Sequence, residues 1–437
     1  MFNFYATLFL FSTVATFGDV VRADWRPHRR SRWRLDANDI DNFRASCRGK
    51  CRGQSSLAKS RRTMVRRHML QRARDDPSIG GTSADIDRQL DKVFLAKKAL
   101  LAEQGLSDIE PSDTGLFSRD IILSEEQADK IIARAQGQQD PADTAPTVDE
   151  NVATSAQPAE DRSRSGERHW GRGRGRGWSK RINRKKRASA VSVDTFPKEK
   201  WPTTTINYYT WSFSKDQKAK VKAALDNIQS KTCLKFVEKY QKPMIEYLKT
   251  DASTDEGTCG WAYMGYQGQA NNPVHINFDS KVCAPTIRGV IAHETMHVLG
   301  FSHEHQRHDR DKFIKIDWSN VDPQSIDVFD KDDPFEVNPF CVPYDYESIM
   351  HYDCFVGSKS SSKPAFAPLK NAQYYLSKIG NYDQPSVNDI ALINKLYCTP
   401  ADCKDVNPYC GFSCSECSTK FNSVCKKSCN QCTVSSG

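Results

Sequence analysis

Residues 293–303 read HETMHVLGFSH, which places histidines at offsets 0, 4 and 10, a glutamate beside the first and a glycine three residues before the last. On an α-helix, residues four apart share a face, so His293 and His297 can aim two ring nitrogens at one point. His303 would lie too far along a straight helix to join them. Gly300 answers this, because a residue free to adopt positive φ can end the helix and turn the chain back. Three neutral imidazoles leave a tetrahedral Zn²⁺ one open position for water, the condition that separates catalytic from structural zinc sites. The cation brings that water toward ionisation near neutral pH. Glu294 sits one step around the helix, where its carboxylate can accept the water's proton and deliver it to a leaving amine. A polar helix face with chance histidines is the plain alternative, and the full H-E-x-x-H-x-x-G-x-x-H pattern speaks against it.

The elements that must position these groups begin near Trp201. TTINYYTWSF, rich in β-branched and aromatic residues, predicts a strand, and Ser214-x-x-Gln217 predicts the cap of a helix through KAKVKAALDNIQSKTC. MIEYLKT and VHINFDS predict further strands, the histidine helix starts near Thr286, and Ser386-x-x-Asp389 caps a last helix in DIALINKLYC. A strand-rich half followed by helices and irregular chain predicts an α+β fold.

Upstream the composition differs. Residues 24–187 read as a largely irregular pro-segment in which arginine-rich patches alternate with stretches poor in large apolar residues, such as DPADTAPTVDENVATSAQPAEDRSRSGE. Two islands stand out: residues 83–104, where Ile86, Leu90, Val93, Phe94 and Leu101 recur at helical intervals, and Ser124-Glu125-Glu126-Gln127, a capping box. At the amino end, FYATLFLFSTVATF is an apolar run too short for a membrane span and is followed by Ala23, which predicts a signal peptide over residues 1–23. No later stretch approaches a transmembrane length.

The chain has 437 residues, 15 cysteines and a net charge of +9. The cysteines favour an oxidising compartment, hence a secreted, extracellular protein. The charge, with GRGRGRG at residues 171–177, invites a nucleic-acid reading. All of the basic excess, however, lies upstream of Ala188, in a segment ending in RKKR at residues 184–187. Such a tetrabasic run predicts cleavage after Arg187 by a furin-like secretory protease, leaving Ala188 as the new amino terminus. No nucleic-acid partner is expected.

The longer string HETMHVLGFSHEHQRHDRD, with SIMHY at residues 348–352, resembles the astacin branch of the metzincin metalloproteases, and the likeness runs from about Trp201 to Cys398. The resemblance implies an endopeptidase with two subdomains around a cleft and one Zn²⁺ per catalytic domain. It implies that Met350 forms an apolar floor beneath the histidines. Tyr352 would be a fifth metal ligand at rest that later stabilises the oxyanion. Glu304 would be a buried carboxylate that pairs with the amino group exposed by activation. LFSRDIILSEEQ resembles the family's F-x-G-D latency motif, which makes Asp120 a metal ligand in the zymogen; Arg119 stands where the motif has glycine.

The resemblance also pairs Cys233 with Cys398 and Cys259 with Cys283. Cys341 and Cys354, flanking SIMHY, are expected to bridge each other, which would stabilise by about 3 kcal/mol. The cysteine-dense tail resembles a ShK-type toxin domain, implying Cys403–Cys432, Cys410–Cys425 and Cys417–Cys429, with Cys414 surplus. The expected organisation is therefore a signal peptide (1–23), a propeptide (24–187), an astacin-like zinc metalloprotease domain (188–400) and a ShK-type domain (401–437). The expected activity is cleavage of extracellular protein substrates by a zymogen-derived zinc endopeptidase. A rival reading, a secreted binding protein acting through its toxin-like tail with the protease unit as scaffold, has no need of Glu294.

Overall fold

The computed structural model describes residues 34–47, 51–75, 81–138, 190–191, 199–250, 258–268, 271–333, 336–380 and 383–399, with Lys426, Ser428 and Cys429. Residues 1–23, expected to be a signal peptide, the Arg187–Ala188 bond and Cys403, Cys410, Cys414, Cys417, Cys425 and Cys432 lie outside them.

Among the described residues the upstream segment is mainly helical, which corrects the expectation of an irregular one. It forms α1 (Ala37–Cys47), α2 (Ser56–Asp75), α3 (Ser83–Glu103), the short strand β1 (Ile121–Ile122) and α4 (Glu125–Ala135). In α2, Ala58, Arg61, Met64, Val65 and Met69 are buried, while Arg62 and Arg66 meet acidic partners elsewhere in the upstream segment. Arg62 reaches Asp91 at 2.6 Å and Asp113 at 2.7 Å, and Arg66 holds Asp87 at 2.5 Å. Composition misleads here because a long side chain can carry its charge to the surface while the helix buries its small apolar stripe. Capping boxes open α3 (Thr82 with Asp85) and α4 (Ser124 with Gln127).

Downstream come β2 (Ala190–Val191), β3 (Thr205–Thr210), α5 (Lys215–Gln229), β4 (Lys235–Glu238), β5 (Met244–Lys249), β6 (Gly260–Tyr263), β7 (Asn271–Ile276) and α6 (Ile287–Val298). They are followed by β8 (Ile314–Ile316), β9 (Val337–Asn338), β10 (Phe366–Pro368), α7 (Ala372–Tyr375) and α8 (Val387–Tyr397). Between these elements the chain from 304 to 329 is largely short 3₁₀ turns. The fold is thus mixed helix and sheet.

A six-stranded sheet runs in the order β1-β6-β7-β5-β3-β4, so its edge strand β1 is supplied by the upstream segment. β1 runs parallel to β6, pairing Ile121 with Ala262 and Ile122 with Tyr263, while β6 and β7 are antiparallel. One core joins α5, α6 and α8 to the sheet through Val221, Leu225, Ile291, Met296, Ile245 and Ile393. A second mixes upstream residues (Phe43, Val93, Leu100, Phe117) with Ile314, Phe329, Tyr344 and Phe366. A third, smaller one places Met64, Val65 and Leu90 against Trp261 and Tyr263.

Disulfides join Cys233–Cys398, Cys259–Cys283 and Cys47–Cys51. The last was not foreseen; its signal was the C-x-x-x-C of CRGKC. The expected Cys341–Cys354 bridge is not formed. Cys354 is a free, fully buried thiol inside the second core, and Cys341 is disulfide-bonded to another partner. The reason is packing: the Cys354 carbonyl is held by the Ala365 N–H at 2.7 Å, and its side chain is buried in the core that contains Phe329 and Phe366. Cys341 lies in a turn at φ 57°. Burial pushes the Cys354 thiol up to about 12.

Candidate metal centre

Helix α6 carries His293 and His297 on one face and ends as the glycine predicts. Gly300 adopts φ +92°, its N–H bonds the His297 carbonyl at 2.8 Å, and the Phe301 N–H bonds the Met296 carbonyl at 3.0 Å. This is a Schellman ending. Two orphan carbonyls at this terminus are met from outside, Val298 by the Trp201 indole at 3.0 Å and Leu299 by the Tyr397 hydroxyl at 2.8 Å. The returning chain brings His303 back, with His297 Nε2 and His303 Nε2 3.2 Å apart.

Each ring donates its Nδ1–H to an oxygen. His293 donates to the Ile349 carbonyl (2.7 Å), His297 to the Phe301 carbonyl (2.9 Å) and His303 to Gln306 Oε1 (2.8 Å). These bonds set the tautomer and leave three Nε2 lone pairs facing inward. His297 and His303 are wholly buried, and the His293 side chain is 12 % exposed. Burial first, and the two neighbouring imidazoles with it, hold His297 down at about 4.

The fourth group comes from far upstream. Asp120 Oδ2 lies 3.3 Å from His293 Nε2 and 3.2 Å from His303 Nε2, and Oδ1 lies 3.7 Å from His297 Nε2. Ser118 (φ 48°) and Arg119 (φ 83°) precede it in the left-handed region. Arg119 therefore takes the backbone form that glycine adopts freely, at a cost of about 1–2 kcal/mol. Burial alone would raise the Asp120 carboxyl, but the imidazoles of His303, His293 and His297 outweigh it and hold the group well below the usual carboxylate range.

The donor atoms of Asp120, His293, His297 and His303 all lie within 4.8 Å of one another. Three inward lone pairs and a carboxylate at this spacing repel one another unless a cation lies among them. Asp120 Oδ1 is also buried without a hydrogen-bond partner. The set fits Zn²⁺ by donor type and number.

The surrounding residues are placed as follows. The Tyr352 hydroxyl lies between the Ser118 carbonyl, at 2.6 Å, and Asp120 Oδ2. Met350 is buried, and its carbonyl takes the Glu304 N–H at 2.9 Å. The Glu304 carboxyl is raised by burial but already has partners, the Asp345 N–H at 2.6 Å and Arg307 at 3.6 Å. Glu294 is buried against β6.

Sequence reasoning missed several supports. A Cβ at Gly260 would stand 2.8 Å from Glu294 Cγ, so only glycine lets β6 pass this close to the carboxylate. Asp389, read only as a capping residue, also accepts from Ser348 Oγ (2.6 Å) and the Ile349 N–H (2.8 Å), fixing the turn whose Ile349 carbonyl orients His293. Gln306 orients His303. The H-E-H-x-R string pointed at that region without distinguishing this residue.

Comparison with known proteins agrees with this geometry. Residues 193–398 match the peptidase family described as Astacin. Zinc metalloproteinase nas-9 of Caenorhabditis elegans is 32 % identical over 418 residues, covering 91 % of this chain and 68 % of that one. The chain belongs to the astacin family. It is a metalloendopeptidase of that type, with zinc as its cofactor. Zinc metalloproteinase nas-11 of the same organism is 32 % identical over 416 residues, covering 92 % of this chain and 68 % of its own. Among solved structures, High choriolytic enzyme 1, a hatching enzyme zinc-protease from Oryzias latipes (Medaka fish), is similar at 29 % identity. It covers 45 % of this chain and 90 % of that one, with a TM-score of 0.37.

Proposed function

We propose that this astacin-family chain is made as a secreted zymogen and, after cleavage between Arg187 and Ala188, hydrolyses peptide bonds in extracellular proteins. In this reading residues 1–23 are a signal peptide, 24–187 a propeptide, 188–400 the catalytic domain, built as two subdomains around a cleft, and 401–437 a ShK-type module. The observation that carries it is Asp120, which reaches all three histidines across 173 to 183 residues of sequence. A carboxylate there occupies the position water needs, and β1 covers the strand edge beside it.

His293, His297 and His303 would hold the metal in both forms, with Asp120 a further ligand only before maturation. Zn²⁺ bound there would supply Lewis acidity, which lowers the pKa of a water toward neutrality. Glu294 accepts that water's proton as its oxygen bonds the substrate carbonyl carbon, and passes the proton to the amine as the C–N bond breaks. Tyr352, released from Ser118 and Asp120, donates to the carbonyl oxygen as negative charge develops there. The secreted reading is supported by the disulfides, and among the described residues no helix is long and apolar enough to cross a membrane. No observation favours the binding-scaffold reading over cleavage.

The test is a comparison of full-length and processed protein on protein substrates, with amino-terminal sequencing of the secreted form. The processed form is expected to cleave, to stop under a zinc chelator, and to lose about 10²–10⁴ in rate on Glu294→Gln. Asp120→Ala is expected to release activity in the uncut chain. Cleavage that survives chelation, or an uncut chain as active as the processed one, overturns the proposal.

A further inference from the structure

Residues 322–333 and 336–338 pass beside the metal centre, and three of their carboxylates, Asp327, Asp330 and Glu336, meet cations from upstream helices. Lys97 of α3 places its ammonium 3.0 Å from Asp327 Oδ2, with both side chains almost wholly buried. The same oxygen accepts the Ser118 N–H at 2.8 Å. Among the described residues, both Lys97 and Ser118, which hold this carboxylate, are therefore upstream of Arg187. Ser118 in turn touches the metal centre, its hydroxyl 3.5 Å from His303 Nδ1 and its carbonyl taking the Tyr352 hydroxyl. Gln306, which orients His303, donates to the Asp327 main-chain carbonyl at 3.1 Å.

Farther along the segment the pattern repeats. Arg134 of α4 meets Asp330 and lies 3.9 Å from Glu336. The intervening Lys331 is engaged elsewhere, with Asp311.

We propose that Asp327 is a specificity-determining residue of the processed enzyme, selecting peptides that carry a lysine or arginine side chain next to the scissile bond. The inference rests on the maturation reading above. When the upstream segment leaves, Asp327 loses its ammonium and its N–H donor together. A carboxylate left beside low-dielectric walls without a partner is costly, and a cation that restores the pair is correspondingly favoured. A substrate backbone lying where residues 117–121 lie offers a replacement for the Ser118 N–H, and a basic side chain on it offers one for Lys97. Asp330 and Glu336, which lose Arg134 at the same time, offer a separate cation contact farther along the chain.

The experiment uses processed enzyme and pairs of peptides identical except for lysine or norleucine at positions flanking the cleaved bond. The wild type is expected to favour lysine at one such position by about 10-fold or more in kcat/KM. Asp327→Asn, similar in size and shape, is expected to bring that ratio close to one, and Asp327→Lys to reverse it in favour of a glutamate peptide. Melting curves of each variant report its folding separately. A wild type without preference for lysine overturns the inference, as does a preference that survives Asp327→Asn, since Asp327 would then serve only as a latch for the upstream segment. In both cases zinc-dependent cleavage stands. Absence of chelator-sensitive cleavage in the wild type sinks the functional proposal, and this inference with it.

Discussion

The sheet half and the irregular half of the catalytic unit hold their shares of the site in different ways. His293, His297 and Glu294 stand on α6, packed into a core drawn wholly from residues 201–397. His303 and Tyr352 stand on turns, and Tyr352 borders a core that borrows Phe43, Val93, Leu100 and Phe117 from the upstream segment. Regular backbone satisfies most of its own polar groups, so the first half leans less on the upstream segment, which meets it at β1 beside β6 and through Met64, Val65 and Leu90 on Trp261 and Tyr263. Turns lean on side chains and neighbours. The upstream segment therefore places a carboxylate at the metal centre and shares a larger core with the irregular half than with the sheet half.

The largest expected effect follows from removing that partner. Hydrogen exchange after processing should show protection in β8, β10 and the turns between 304 and 329 falling by about 10³-fold, while β3, β5 and β7 stay protected. An equal loss in both halves would erase the distinction. Next, Phe329→Ala and Ile291→Ala should each cost roughly 2–5 kcal/mol in denaturant melts of the full chain. Phe329→Ala alone should also make the upstream helices easier to digest, because only Phe329 packs in the core they share. Equal digestion of the two variants would argue against the shared core.

The smallest effect is in pH and has opposite signs at two ends of the upstream segment. His275 stacks on Trp261 with ring centroids 3.4 Å apart, with His68 of α2 at 4.7 Å; burial first, then the charges of His68 and Arg72, push its pKa well below 6.5. Above about pH 6.5 the ring is neutral whether covered or not; below it only the uncovered ring takes a proton, so docking of α2 weakens as pH falls. At α4, burial pushes Glu199, which accepts from Gln127 at 2.9 Å, up to about 8. The covered acid keeps a proton that the uncovered one loses above about 4.5, so docking there weakens as pH rises toward 8. Each end should shift by no more than about 1.4 kcal/mol per pH unit. Exchange measured separately on α2 and α4 at pH 5 and 8 checks the signs, and a common direction would refute this assignment.

Legibility followed range. The capping boxes at Ser124, Ser214 and Ser386 and the glycine ending at Gly300 were readable because donor and acceptor lie within a few residues of each other. The upstream helices were under-read because their apolar stripe is thin and their arginines dominate composition, although their acidic partners lie within the same segment. The Cys341–Cys354 expectation failed because nearness in sequence does not decide whether two β-carbons face each other once one of them is locked in a core.

The sequence by itself determined the chemistry: three imidazoles and a carboxylate at offsets that one helix and one glycine turn bring together, since helical geometry is local and repeats every few residues. Only the tertiary structure decided what stands opposite them. That Asp120 meets those rings, that Gly260 makes room for Glu294, and that Lys97 covers Asp327 depend on packing between segments far apart in the chain. Shape and desolvation across those contacts, rather than residue spacing, select the partners.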